Sequence, residues 1–307
     1  MDLPAFANRT PELVWERDGR TLTTRVGNIA FTARSPWYSP SWIVTGTSPL
    51  ALPVDATVYI AKSGAAHGYW KNVAAMKDYF AHSDVPALMP VLVGDATERA
   101  IAAHDKPRSV MVEIEGPGET VELHIRERTI ETTTKVAAGN ERVIEDQLAI
   151  HRALAADHEQ VIDAWRAAAD ELRGSVATTW PPVITVPRGF GSATIGLHWS
   201  PSTHVSARAS IVLSADARGA KLWSLDREPQ ATPNTRMIAG HPFLVMGEIP
   251  IPMDQLARAI FRTGITSINV RRHVTVHIDR HAPDAAVLDD VLELLGALCG
   301  AASEPYR

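Results

Sequence analysis

Cysteine is all but missing: Cys299 is the only one in 307 residues. No intramolecular disulfide can form and no thiolate metal cluster can be built. Long apolar runs are also lacking. No stretch approaches the ~18–20 continuous apolar residues that a membrane span requires. The N-terminal stretch, interrupted by Pro4 and Pro11, has no apolar signal core. The expected location is therefore the cytoplasm, where the sequon Asn8-Arg9-Thr10 carries no meaning.

A positive charge balance is absent as well. The 30 basic and 35 acidic side chains give a formal charge of −5. Phosphate neutralisation supplies most of the affinity of a general nucleic-acid binder, so that role is not expected and a membrane partner is not either. The basic residues are mostly Arg and Ala is abundant, a bias that fits a high-GC bacterial genome.

Catalytic signatures are not found. Ser39, Ser41, Ser200 and Ser202 lack the Gly-x-Ser-x-Gly context of a nucleophile elbow. Gly189-Phe190-Gly191-Ser192 lacks the remaining glycine of a dinucleotide loop and the basic residue of a phosphate loop. His158-Glu159 is not followed by the second histidine of a zincin helix. No cofactor is expected.

What is present is an ordinary globular composition, 45% hydrophobic and 21% charged, in a chain long enough for one large or two medium domains. Asp18-Gly19 between extended runs predicts a hairpin. Val54–Ala61 reads as a strand, and Tyr69, Val73, Met76 and Phe80 recur at helical spacing. Leu88–Val93 reads as a short strand, Asp95–Ala103 as a helix, and Val110–Glu115 and Thr120–Ile125 as strands. A long helix capped by Asn140 runs to Arg173 and stops at Gly174, with Ile144, Leu148, His151, Leu154, Trp165 and Leu172 on one stripe. Residues 175–191, rich in Pro and Gly, read as a linker between lobes 1–174 and 192–307. The second lobe ends in strand Phe243–Ile249, helix Met253–Arg262, strands Ile265–Val270 and His273–Asp279, and an apolar helix from Pro283 to Cys299.

The two endings share short motifs. Val93-Gly94-Asp95 matches Met246-Gly247-Glu248, and Val121–Ile125 matches Val274–Ile278 at the same offset, which aligns His124 with His277. Tyr38-Ser39-Pro40-Ser41 matches Trp199-Ser200-Pro201-Ser202 at a slightly larger one. The expectation is an α+β fold made of two diverged copies of a strand-helix-strand-strand-helix module, with antiparallel sheets related by a pseudo-twofold axis.

Three sets of residues are candidates for function. Trp37, Tyr38, Trp42 and Trp199 cluster with prolines in the repeated loops, and loop aromatics suit a binding surface. Arg258, Arg262 and Arg271 are available for an anionic ligand or acidic surface, the first two at helical spacing four. His273, His277, Asp279 and His281 alternate along one strand and have the ligand chemistry of a divalent metal. The expected function is a non-catalytic binding or assembly protein presenting a groove between its lobes to a protein partner or small ligand. The alternative is a metal-assisted hydrolase using the His-rich strand 271–281.

Overall fold

The structure, a computed structural model, describes residues 4–9, 13–35, 41–50, 52, 58–61, 71–72, 80–83, 86–104, 121–126, 128–136, 142–177, 180–199, 209–217 and 222–302. The chain divides into two compact units, Met1–Gln160 with Pro201–Ala207, and Val161–Ser200 with Arg208–Arg307. Each holds one antiparallel sheet with helices, so the fold is α+β. Among the described residues no helix is long and apolar enough to cross a membrane.

The first unit opens with helix α1 (Ala5–Arg9). Strands β1 (Glu16–Asp18), β2 (Thr21–Val26), β3 (Ile29–Arg34), β4 (Trp42–Pro49), β5 (Val58–Ala61), β6 (Lys71–Asn72) and β7 (Phe80–Ser83) follow. Next come a 3-10 turn (Pro86–Leu88), helices α2 (Met89–Leu92) and α3 (Asp95–His104), strands β8 (Val121–Arg126) and β9 (Thr129–Val136), and helix α4 (Val143–Glu171), whose residues from Val161 on belong to the second unit. The second unit contains β10 (Ser175–Val176), β11 (Val183–Arg188), β12 (Gly191–Trp199), β13 (Ala209–Asp216), β14 (Trp223–Arg227), β15 (Thr235–Ile238) and β16 (His241–Met246). It closes with α5 (Met253–Thr263), β17 (Ile265–Val270), β18 (His273–Ile278) and α6 (Ala285–Ala302).

Among the described residues each sheet has nine strands. The orders are β1-β2-β3-β4-β9-β8-β5-β7-β6 and β10-β11-β12-β13-β18-β17-β14-β16-β15. Counted from the first strand of each sheet, these are the same permutation. The motif alignment expected from sequence does not follow it, however. β8 takes the place of β17 and β9 that of β18, so His124 on β8 and His277 on β18 stand on non-corresponding strands.

The core of the first unit joins Phe6, Leu22, Phe31, Val44, Val136 and Ile144, with Trp15 and Trp42 packed partly against it. The inward face of β4 and β9 is partly polar: Ser48, Thr132 and Thr134 are buried there. The first half of α4 answers with polar side chains. His151 Nδ1 lies 2.7 Å from Ser48 Oγ and its Nε2 3.0 Å from Thr132 Oγ1. Gln147 Nε2 donates to the Val44 carbonyl at 2.9 Å and to Thr134 Oγ1 at 3.0 Å. Six residues after His151, Asp157 accepts from the Thr97 N–H at 2.9 Å and its hydroxyl at 2.6 Å, which caps α3. Gly94 permits this approach, because a Cβ there would stand 2.7 Å from Asp157 Cγ.

In the second unit alternation is cleaner. Ile195, Leu197, Ile211, Leu213, Leu225, Ile268, Val274, Val276 and Ile278 face one side and are buried. Helix α6 packs on β13 and β18, and α5 on α6 and β17. On α6, Leu288, Val291, Leu292, Leu295 and Leu298 are buried, as their spacing predicts.

Several sequence expectations are corrected. The long helix ends at Glu171, and Arg173 rather than Gly174 takes the left-handed position after it, with φ 56°. Gly174 is required for space instead, since a Cβ would sit 2.7 Å from the Thr185 carbonyl. Residues 175–191 contain β10 and β11, strands of the second sheet, where a linker was expected. Leu88–Val93 forms helical turns, not a strand. In the expected helix around Tyr69–Phe80, Lys71, Asn72 and Phe80 are strand residues. Asn140 lies outside the described residues, as does the expected strand Val110–Glu115.

Candidate functional site

Helix α5 buries Leu256, Ile260 and Thr263, a normal core stripe at spacing four and three. One position later runs a second apolar series, Met253, Ala257 and Phe261, also on one helix face. Phe261 is 82% exposed and Met253 37%. Burying a phenylalanine from such exposure is worth roughly 1.5–3 kcal/mol, so this ring stands unused by the fold. Ala257, Arg258, Phe261 and Arg262, together with Ala239 of the β15–β16 turn, line an open concavity of about 500 Å³. Ala239, Ala257 and Phe261 form its apolar part, and the two arginines, at spacing four on the helix, its basic part. Arg258 bonds Asp254 at 3.0 Å and Arg262 approaches Asp290 at 4.0 Å, both pairs well exposed. Exposed pairs of this kind contribute little and leave most guanidinium donors available.

The turn beside the concavity closes a tight hairpin. Ala239 and Gly240 take positive φ of 51° and 81°, which a two-residue hairpin loop requires. Ile238 faces His241, Met237 faces Pro242, Arg236 faces Phe243 and Thr235 faces Leu244. Residues directly opposite share a sheet face. Arg236 therefore lies on the side of buried Phe243, as does Arg227, which also faces Phe243 from β14. Met237, Pro242 and Leu244 lie on the other side, where Met237 is 59% exposed. Leu222 and Met246 are also largely exposed, at the far end of β14 and β16.

A second polar feature crosses the face of the same sheet opposite its buried side chains. Ser210 Oγ lies 3.4 Å from His277 Nδ1, and the His198 and His277 rings meet edge to face at 5.9 Å. Ser267 donates to Asp226 at 2.7 Å. Burial pushes the His277 imidazole below its ordinary pKa, the neighbouring His198 adds to this, and Asp226 opposes it. The Ser210–His277 distance exceeds the ~2.6–3.2 Å of a working nucleophile–base pair.

The His-rich strand does not assemble. It ends at Ile278, so Asp279 and His281 leave the alternation, while His273 and His277 point from one face with His273 exposed. Arg271 sits in the turn before it, away from the concavity lining. Among the described residues no group of three or more His, Cys, Asp or Glu side chains stands together to hold a metal ion.

Of the aromatic candidates, Trp37 and Tyr38 lie outside the described residues. Trp42 packs edge to face on Phe6 at 5.9 Å, and Trp199 is the half-buried last residue of β12. The structure thus joins Arg258 and Arg262 in one site and adds Phe261, Ala257 and Ala239, which sequence reading missed. The signal was available: the series Met253-Ala257-Phe261 repeats at spacing four beside the core stripe. Compared with known proteins, the chain matches no family model, no curated protein and no solved structure.

Proposed function

We propose that this chain is a non-catalytic binding or assembly protein, built from two diverged copies of one module, that takes a protein partner on the exposed face of α5. The observation that carries the reading is the concavity that Phe261, 82% exposed, lines together with Arg258 and Arg262. Aromatic and arginine side chains dominate interface hot spots, because they combine large area with directional charge. A ring held this open on a rigid helix costs little entropy to bury against a partner. The duplication is supported by the common strand permutation of the two sheets.

The partner chemistry follows from the lining: an apolar side chain to cover Phe261 and Ala257, with carboxylates for the guanidiniums. Selection of random peptides on the immobilised full chain tests this. Enriched sequences should pair acidic with apolar residues, and Phe261→Ala or Arg262→Glu should raise their Kd at least tenfold. Binders indifferent to both substitutions, or no enrichment, would overturn the proposal.

A further inference from the structure

The outer hairpin beside α5 has an unfinished edge. Among the described residues β15 is the last strand of its sheet and pairs only with β16. In an antiparallel ladder, opposed residues alternate between exchanging both hydrogen bonds and exchanging none. A two-residue loop makes Ile238–His241 a bonded pair, so Met237–Pro242 is a non-bonded one. Two bonds confirm the phase. The Pro242 carbonyl accepts from the Glu228 N–H at 3.0 Å, on the β14 side, and the Thr235 N–H donates to the Thr232 carbonyl at 3.0 Å, outside the ladder. Proline also has no N–H to give. The N–H and carbonyl of Met237 and the carbonyl of Thr235 therefore point outward, at the spacing that an added strand would use.

The side chains along this edge differ by face. On the helix side Arg236 is exposed, on the same strand that leads to Ala239 of the concavity lining, and Arg227 lies 2.8 Å from His241 Nδ1. Of the four guanidiniums on this side, Arg258 pairs with Asp254 and Arg262 with Asp290. On the opposite side the edge presents Met237 with Pro242 and Leu244 behind it. A strand laid along β15 would send alternate side chains to these two environments.

We infer that β15 is the docking edge for an extended acidic segment of a protein partner. The segment adds antiparallel or parallel to β15 through Met237, turns its carboxylates toward Arg236 and the α5 arginines, and lays its apolar side chains over Met237. The backbone bonds supply affinity, and the two faces select a strand alternating acidic with apolar residues. The inference rests on the binding reading above and specifies its mode.

Met237→Pro isolates the backbone contribution, since proline is tolerated on an edge where the N–H faces outward. The probe is a synthetic peptide, Glu-Val-Glu-Leu-Asp-Val-Glu, titrated into the full chain beside a copy N-methylated at alternate residues. The peptide is expected to bind the native chain, and Met237→Pro to weaken it at least tenfold more than Met237→Ala, at equal Tm. The N-methylated copy should bind at least tenfold more weakly. If Met237→Pro lowers Tm, the N-methylated copy decides. Binding that is lost with Phe261→Ala but indifferent to Met237→Pro and to N-methylation would overturn strand addition and leave the α5 surface standing. Absence of peptide binding altogether would overturn both. Concentration-dependent dimerisation abolished by Met237→Pro would give the edge to a second copy of this chain and overturn the partner assignment.

Discussion

His151 stands with one ring nitrogen 2.7 Å from the hydroxyl of Ser48, in a seam where both residues are buried. Burial drives this imidazole from 6.5 down to about 4, against a backbone hydrogen bond to Gly46 that raises it. The folded state thus holds the neutral ring, while the unfolded chain protonates near 6.5. Stability should be complete above pH 6.5 and fall as the pH drops toward 4, by roughly 3 kcal/mol over the whole window at 1.36 kcal/mol per unit. His158 has a pKa lowered chiefly by burial and adds in the same direction. Denaturant melts between pH 7 and 4 should show the fall, and His151→Gln should flatten it. An unchanged slope in that variant would remove His151 as the cause.

Asp157 should matter through α3. Its carboxylate accepts three hydrogen bonds from Ala96 and Thr97, and no water replaces them at a buried site. Asp157→Ala should cost about 1–3 kcal/mol, the range for losing a cap and leaving buried donors unmet. A denaturant midpoint within error of the native one would show that the cap contributes nothing.

Leu292 is 1% exposed on α6, facing the sheet of the second unit. Leu292→Ala should destabilise by about 2–5 kcal/mol, as cavity-forming leucine truncations do. A loss under about half a kcal/mol in a chemical melt would place this helix face outside the core.

Trp42 separates packing from binding. It covers Phe6 and the first core, so Trp42→Ala should lower stability by about 2 kcal/mol or more. It should leave peptide binding at α5 unchanged in calorimetry. Lost binding at full stability would return the functional role to this tryptophan.

How far the sequence spoke depended on where hydropathy carries the information. Met253–Thr263, Ile265–Val270 and the C-terminal helix were legible because their apolar periods match their structure. β9 was not seen, since its inward positions 130, 132, 134 and 136 include two threonines whose hydroxyls meet Gln147 and His151. A polar seam between helix and sheet leaves no apolar alternation to read. β11 was hidden by Pro187, which looked like a breaker. β10 pairs only with Thr185 and Ile184, so Pro187 lies beyond the residues whose N–H groups that neighbour needs.

The site was half legible for a related reason. Arg258 and Arg262 could be placed on one helix face from their spacing alone. Phe261 read as one more apolar residue of an amphipathic helix, and only its position beside the buried stripe marks it as exposed. The His-rich segment misled in the opposite way: strict alternation was extrapolated past Ile278, where the strand stops.

The most direct test is paired titration calorimetry and denaturant unfolding on Phe261→Ala, with a peptide selected on the native chain as ligand. The ring is 82% exposed, so its removal should change stability by less than about half a kcal/mol. Binding should weaken by ~2 kcal/mol or more, the loss expected of an interface hot spot. A variant that binds the selected peptide as tightly as the native chain would contradict the assignment of α5 as the partner surface.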